Sequence, residues 1–121
     1  MPEVQIFHNP RCGKSRAALK ALEARGVEAE VIAYLKEPPS PEALDALCRK
    51  LDLPPQALIR TGERRFRELG LRLDDDRSRD EWLRLLSENP ILIERPIVVS
   101  GDRAVIGRPL ENVLALLDET L

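Results

Sequence analysis

The chain has 121 residues, 43% of them apolar, and a net charge of −2. That is the size of one domain, able to hide about two-thirds of its unfolded surface without staples. Two cysteines and one histidine exclude a disulfide framework and a Cys/His zinc site, and the near-neutral charge excludes a global field for nucleic acid or an anionic membrane. No apolar run of about 18 residues and no basic N-terminal leader is present, so the sequence reads as cytoplasmic, with neither membrane nor nucleic acid as partner.

Val4-Gln5-Ile6-Phe7 reads as a strand closed by the turn residues Asn9-Pro10, followed by a helix over 15–25 that carries Ala18, Leu19 and Leu22 on one face and stops at Gly26. A second strand over 29–33 completes a βαβ unit with parallel strands. Ser40-Pro41 is an N-cap with proline at the first helical position. The helix behind it places Leu44, Leu47, Cys48 and Leu51 at i, i+3, i+4 and i+7, which puts Cys48 in the core. Short helical pieces follow around 56–59 and 64–69, broken at Gly62 and Gly70, and Asp74-Asp75-Asp76 reads as a solvated loop without partner ligands for a metal. Ser78-Arg79-Asp80-Glu81 is a capping box that opens a helix with Trp82, Leu85 and Leu86 inward. Residues 97–100 and 103–106 form a hairpin across Gly101-Asp102, and a last helix is expected from Pro109, with Arg108 as its N-cap and Leu110, Val113, Leu114 and Leu117 apolar. The order βαβ, helical insertion, ββα predicts an α/β fold: one domain over 1–121, a shared sheet, and an insertion at about 40–90.

Cys12 carries the chemistry. It lies in His8-Asn9-Pro10-Arg11-Cys12-Gly13-Lys14-Ser15-Arg16, at the start of a helix, where unpaired N–H groups and the macrodipole favour a thiolate. Arg11, Lys14 and Arg16 are expected to add positive charge. Arg108 stands where Ser, Asp or Asn would favour the helix, so a bound anion explains it better than local stability does. Arg95 precedes Pro96 at a strand edge, a place where a cis peptide fits, and Arg60 follows the apolar pair Leu58-Ile59 before the break at Gly62. A thiolate among arginines suggests attack on an oxyanion, because guanidinium forks neutralise charge that builds during the step.

The stretches 8–16, 34–40 (Tyr-Leu-Lys-Glu-Pro-Pro-Ser), 58–60 (Leu-Ile-Arg), 89–99 (Asn-Pro-Ile-Leu-Ile-Glu-Arg-Pro-Ile-Val-Val) and 106–109 (Ile-Gly-Arg-Pro) together resemble the glutathione/glutaredoxin-coupled arsenate reductases. The resemblance implies a thioredoxin-like fold with a helical insertion. It makes Cys12 the nucleophile, with His8 and Ser15 stabilising its thiolate, assigns Arg60, Arg95 and Arg108 to the oxyanion, and makes Pro96 a cis-proline beside the reactive loop. It further implies arsenate as substrate, glutathione as co-substrate, glutaredoxin as partner, and no bound cofactor or metal.

Lys14 stands where many arsenate reductases of that family have threonine, and many of them carry a longer C-terminal extension. Two alternatives stay open. One is a glutathione-dependent monothiol oxidoreductase acting on another substrate. The other is a redox regulator that resembles the Spx-like proteins and binds RNA polymerase, although Ser15 replaces the second cysteine of their usual Cys-x-x-Cys switch.

Overall fold

A computed structural model describes residues 3–121. Four strands, β1 (Val4–Phe7), β2 (Glu30–Ile32), β3 (Ile97–Ser100) and β4 (Arg103–Ile106), form one sheet in the order β2-β1-β3-β4. β1 runs parallel to β2, while β1–β3 and β3–β4 are antiparallel. The parallel pair follows from the helical crossover and the β3–β4 pair from the two-residue turn, where Gly101 takes a φ of 63°. The helices are α1 (Gly13–Ala24), α2 (Pro41–Leu51), α3 (Arg64–Glu68), α4 (Arg79–Glu88) and α5 (Glu111–Thr120), with 3₁₀ turns at Pro55–Leu58 and Pro90–Leu92.

The chain divides into two compact units. One holds the sheet with α1 and α5 and consists of the chain up to Glu37 together with Arg95–Leu121; the other is Pro38–Glu94. In the first, period-two alternation puts Val4, Ile6 and Val98 on one sheet face, where they pack with Ala18 and Leu22 of α1 and Val113, Leu116 and Leu117 of α5. Gly26, at a φ of 70°, ends α1 in a left-handed turn.

In the second unit α2 packs on α4. Ser40 Oγ accepts from the Ala43 N–H at 3.1 Å, and Ser78 with Glu81 forms the capping box at the start of α4. Each cap supplies about 1 kcal/mol to its helix. Leu44, Leu47 and Cys48 of α2 are buried, as are Trp82, Leu83 and Leu86 of α4. Leu83, not the expected Leu85, fills the inner face. Spacings of i, i+1, i+4 and i, i+3, i+4 both suit a helical stripe, and contact with α2 decides between them. Asp74, Asp75 and their neighbours are a salt-bridged turn: Arg72 pairs with Asp74 and Arg77 with Asp75. No helix among the described residues is long and apolar enough to cross a membrane.

Two boundaries differ from expectation. α1 starts at Gly13, making Cys12 itself the N-cap. α5 starts at Glu111, so Arg108 is not its N-cap; the Asn112 N–H bonds to the Pro109 carbonyl at 3.0 Å, closing a turn before the regular helix begins. Arg108 is thereby freed from the helix end, and its guanidinium is engaged elsewhere.

Candidate active site

The loop after β1 is shaped by its own hydrogen bonds. Asn9 is buried; its carbonyl accepts from the Cys12 N–H at 3.0 Å, its N–H donates to Ser15 Oγ at 3.3 Å, and its Oδ1 accepts from the Arg11 N–H at 3.0 Å. Asn9 and the fully buried Ser15 thus tie the loop to the first turn of α1, with Cys12 between them. Only 8% of Cys12 is exposed.

The Cys12 thiol sits at about 7, down from its usual 9.0. Burial is the largest single influence and pushes it up. It is outweighed by the Ser15 N–H, the Arg95 guanidinium, the Lys14 N–H and the Arg95 charge, all of which favour the thiolate. Arg108 adds a second guanidinium: its Nη2 lies 3.3 Å from Cys12 Sγ while its Nε donates to the Arg95 carbonyl at 2.8 Å. The cations on the sulfur are therefore Arg95 and Arg108, not the loop's own. Arg16 turns back to donate to the Pro10 carbonyl at 2.9 Å, and Lys14 contributes its backbone.

The Arg95–Pro96 peptide is cis, as is Arg108–Pro109. Pro96 is buried, and its carbonyl accepts from the Gly107 N–H at 2.8 Å. His8 is held through its N–H to the Ile32 carbonyl at 3.0 Å, and its buried Nδ1 has no hydrogen-bond partner. Burial first, then the charge of Arg16, lowers its pKa below 6.5. Near neutral pH His8 is an uncharged imidazole and brings no cation to the thiolate. Arg60 belongs to the Pro38–Glu94 unit, where its guanidinium pairs with Glu63 at 3.1 Å. Cys48, in that same unit, is buried, and burial raises its thiol, so it stays protonated and unreactive.

Cys12, Ser15, Arg95, Pro96 and Arg108 thus converge from three separate stretches of chain. Asn9 and Gly107 join them unforeseen. The Asn-Pro turn signal of Asn9 was visible, but its three hydrogen bonds were not. Gly107 stood in the Ile-Gly-Arg-Pro stretch at 106–109, with no role assigned to it. Among the described residues no group of three His, Cys, Asp or Glu side chains is placed to hold a metal ion.

A profile of the ArsC family matches residues 7–116. The chain belongs to the ArsC family. This ArsC protein is 47% identical over 118 residues to an arsenate reductase of Neisseria meningitidis, covering 97% of the chain and all of the relative. It is 41% identical over 116 residues to the uncharacterized protein YfgD of Escherichia coli, covering 95% of the chain and 97% of the relative. The solved structure of an arsenate reductase from Vibrio cholerae superposes with a TM-score of 0.89 at 43% identity, covering 99% of this chain and 98% of the other. The ArsC chain therefore has the thioredoxin-like fold that the resemblance implied.

Proposed function

We propose that this ArsC-family protein reduces arsenate to arsenite through an adduct on Cys12 that glutathione and glutaredoxin resolve. The main support is a thiol at about 7 with a guanidinium 3.3 Å from its sulfur, which joins a nucleophile to an oxyanion clamp. The names carried by the N. meningitidis and V. cholerae relatives point to the same substrate.

In this scheme the Cys12 thiolate attacks As(V), an As–O bond breaks, and the oxygen leaves as water after taking protons from solvent. Arg95 and Arg108 offset the repulsion between the thiolate and the arsenate dianion. By family resemblance Arg60 is assigned the same part. A glutathione thiolate displaces a second oxygen as water, placing two sulfurs on arsenic. The glutaredoxin thiolate then attacks the glutathione sulfur; an S–S bond forms, the electron pair of the broken As–S bond stays on arsenic, and As(V) becomes As(III). Hydrolysis of the remaining Cys12–As bond releases arsenite and restores the thiolate. Two outside thiols supply the electrons, so one reactive cysteine in the chain is enough. Ser15 keeps the loop in its reactive shape through Asn9, and His8, neutral near pH 7, brings no charge to the thiolate.

Arsenate-dependent NADPH oxidation in the presence of glutathione, glutathione reductase and glutaredoxin tests the scheme. Turnover that requires arsenate, glutaredoxin and Cys12, and that disappears in Cys12→Ser, is expected. Absence of arsenate-dependent turnover while Cys12 remains readily alkylated would overturn it and favour a monothiol reaction on glutathione mixed disulfides.

A further inference from the structure

Arg108 is carried by a short segment, Ile106 to Arg108, that is pinned on two sides by residues outside the proposed reaction. On one side Gly107 presses against Pro96. A Cβ at position 107 would lie 2.8 Å from Pro96 Cγ and 3.0 Å from Val113 Cγ2, so only glycine permits this approach, and the Gly107 N–H fixes it with a 2.8 Å bond to the Pro96 carbonyl. On the other side stands Asn112, in the first turn of α5. Its Nδ2 donates to the Ile106 carbonyl at 3.1 Å and to the Arg108 carbonyl at 3.4 Å, bridging the residues before and after Gly107.

Neither residue is explained by the element it belongs to. Asn112 is exposed, and asparagine ranks low among helix formers. Gly107 is not in the left-handed region, so its lack of a side chain serves the contact with Pro96 and not a turn. Both act on the one backbone position that launches the Arg108 side chain. We propose that Gly107 and Asn112 are positioning residues that hold the Arg108 guanidinium on the Cys12 sulfur.

The physical need is plain. A free arginine spreads over many rotamers, and ordering it costs side-chain entropy. Anchoring Nε on the Arg95 carbonyl leaves Nη2 facing the sulfur only if the backbone of residue 108 is fixed relative to that of residue 95. The Gly107–Pro96 bond ties together the immediate neighbours of those two arginines, and Asn112 stops the segment from swinging away. A displacement of about 1 Å would carry the 3.3 Å contact out of hydrogen-bonding range.

The inference rests on Cys12 being the nucleophile, but its test needs no arsenate, so it stands or falls separately from the choice of substrate. Anionic iodoacetate and neutral iodoacetamide alkylate the same thiolate, and the ratio of their rates at Cys12 reports the positive charge held beside it. In the full chain, Asn112→Ala is expected to lower that ratio about fivefold, the effect of removing one nearby cation in a largely aqueous field. Arg108→Ala should give the same loss, and Asn112→Ala should add nothing in an Arg108→Ala background. Gly107→Ala should behave likewise if its circular dichroism is that of a folded chain. Asn112 is exposed, so its variant keeps the test decisive if Gly107→Ala fails to fold. An unchanged ratio in folded Asn112→Ala, or an undiminished fall when Arg108 is already absent, would overturn the assignment.

Discussion

Folding stability should depend on pH through Cys12. In the native chain its thiol sits at about 7 against 9.0 for an unperturbed one. The native state therefore releases this proton at a lower pH than the unfolded state does. Below about pH 7 both states hold the proton and the term vanishes. Between 7 and 9 the unfolded state binds more protons, so stability rises with pH; above 9 both are thiolates and the full term is present. One pKa unit corresponds to about 1.4 kcal/mol, so a shift of this size contributes between about 2 and 3 kcal/mol at its plateau and about half of that near pH 8. Cys12→Ser removes the term. Urea unfolding of both chains from pH 6 to pH 9.5 is the assay, with the difference between them as the readout, because every other titrating group cancels in it. The wild type should gain on the variant by the stated amount across that range. Parallel stability curves would refute the thiolate argument, and a wild type that loses ground as pH rises would mean that burial dominates over the guanidinium and backbone donors.

Arg108→Ala should raise the KM for arsenate about tenfold through loss of a charge-assisted contact, and an unchanged KM in the coupled assay would remove Arg108 from the oxyanion site. Cys48→Ala should keep Cys12 alkylation at the wild-type rate while costing about 1 kcal/mol in urea unfolding, since Cys48 fills core and holds its proton; a large drop in alkylation would contradict that. His8 is the sole histidine, so its imidazole resonances in a proton NMR titration are unambiguous. They should titrate below 6.5, and a midpoint at or above that value would show that the imidazolium is stabilised by the site.

The parts of the fold written in short-range rules were legible. The first strand, the Ser40-Pro41 helix start, the Ser78/Glu81 capping box and the hairpin around Gly101-Asp102 each depend on a handful of adjacent residues, and each lies where its signal put it. Features set by distant partners were not. The inner face of α4 turns on its contact with α2, and α5 begins only at Glu111, with Arg108 outside it and engaged by the Arg95 carbonyl and the Cys12 sulfur. The charge around Cys12 was the clearest misreading. Arg11, Lys14 and Arg16 are neighbours in sequence, yet Arg16 satisfies the Pro10 carbonyl instead. Arg108 was visible for another reason: nothing local justified a cation there, while Arg95 was marked by the proline that follows it at a strand edge. An arginine that its own element does not need was a better guide to the site than arginines crowded beside the nucleophile.

The balance of opposing influences on Cys12 bears directly on its chemistry. Burial alone would keep the thiol protonated, and the helix start with its cations alone would drive its pKa far down. Either extreme is a poor nucleophile near neutral pH: a protonated thiol does not attack, and a thiolate of very low pKa attacks slowly, because nucleophilicity falls with basicity and the best attacking thiol has a pKa near the ambient pH. A value of about 7 lies at that optimum. The burial penalty is thus part of how the site is tuned: the protein encloses Cys12 enough to keep the sulfur basic, then adds enough N–H and guanidinium donors to keep it ionised. In the proposed reaction the same guanidiniums would also offset the charge of the incoming oxyanion. Nucleophile and anion would there draw on one set of cations, Arg95 and Arg108, which reach the sulfur from far along the chain and not from the loop that bears it.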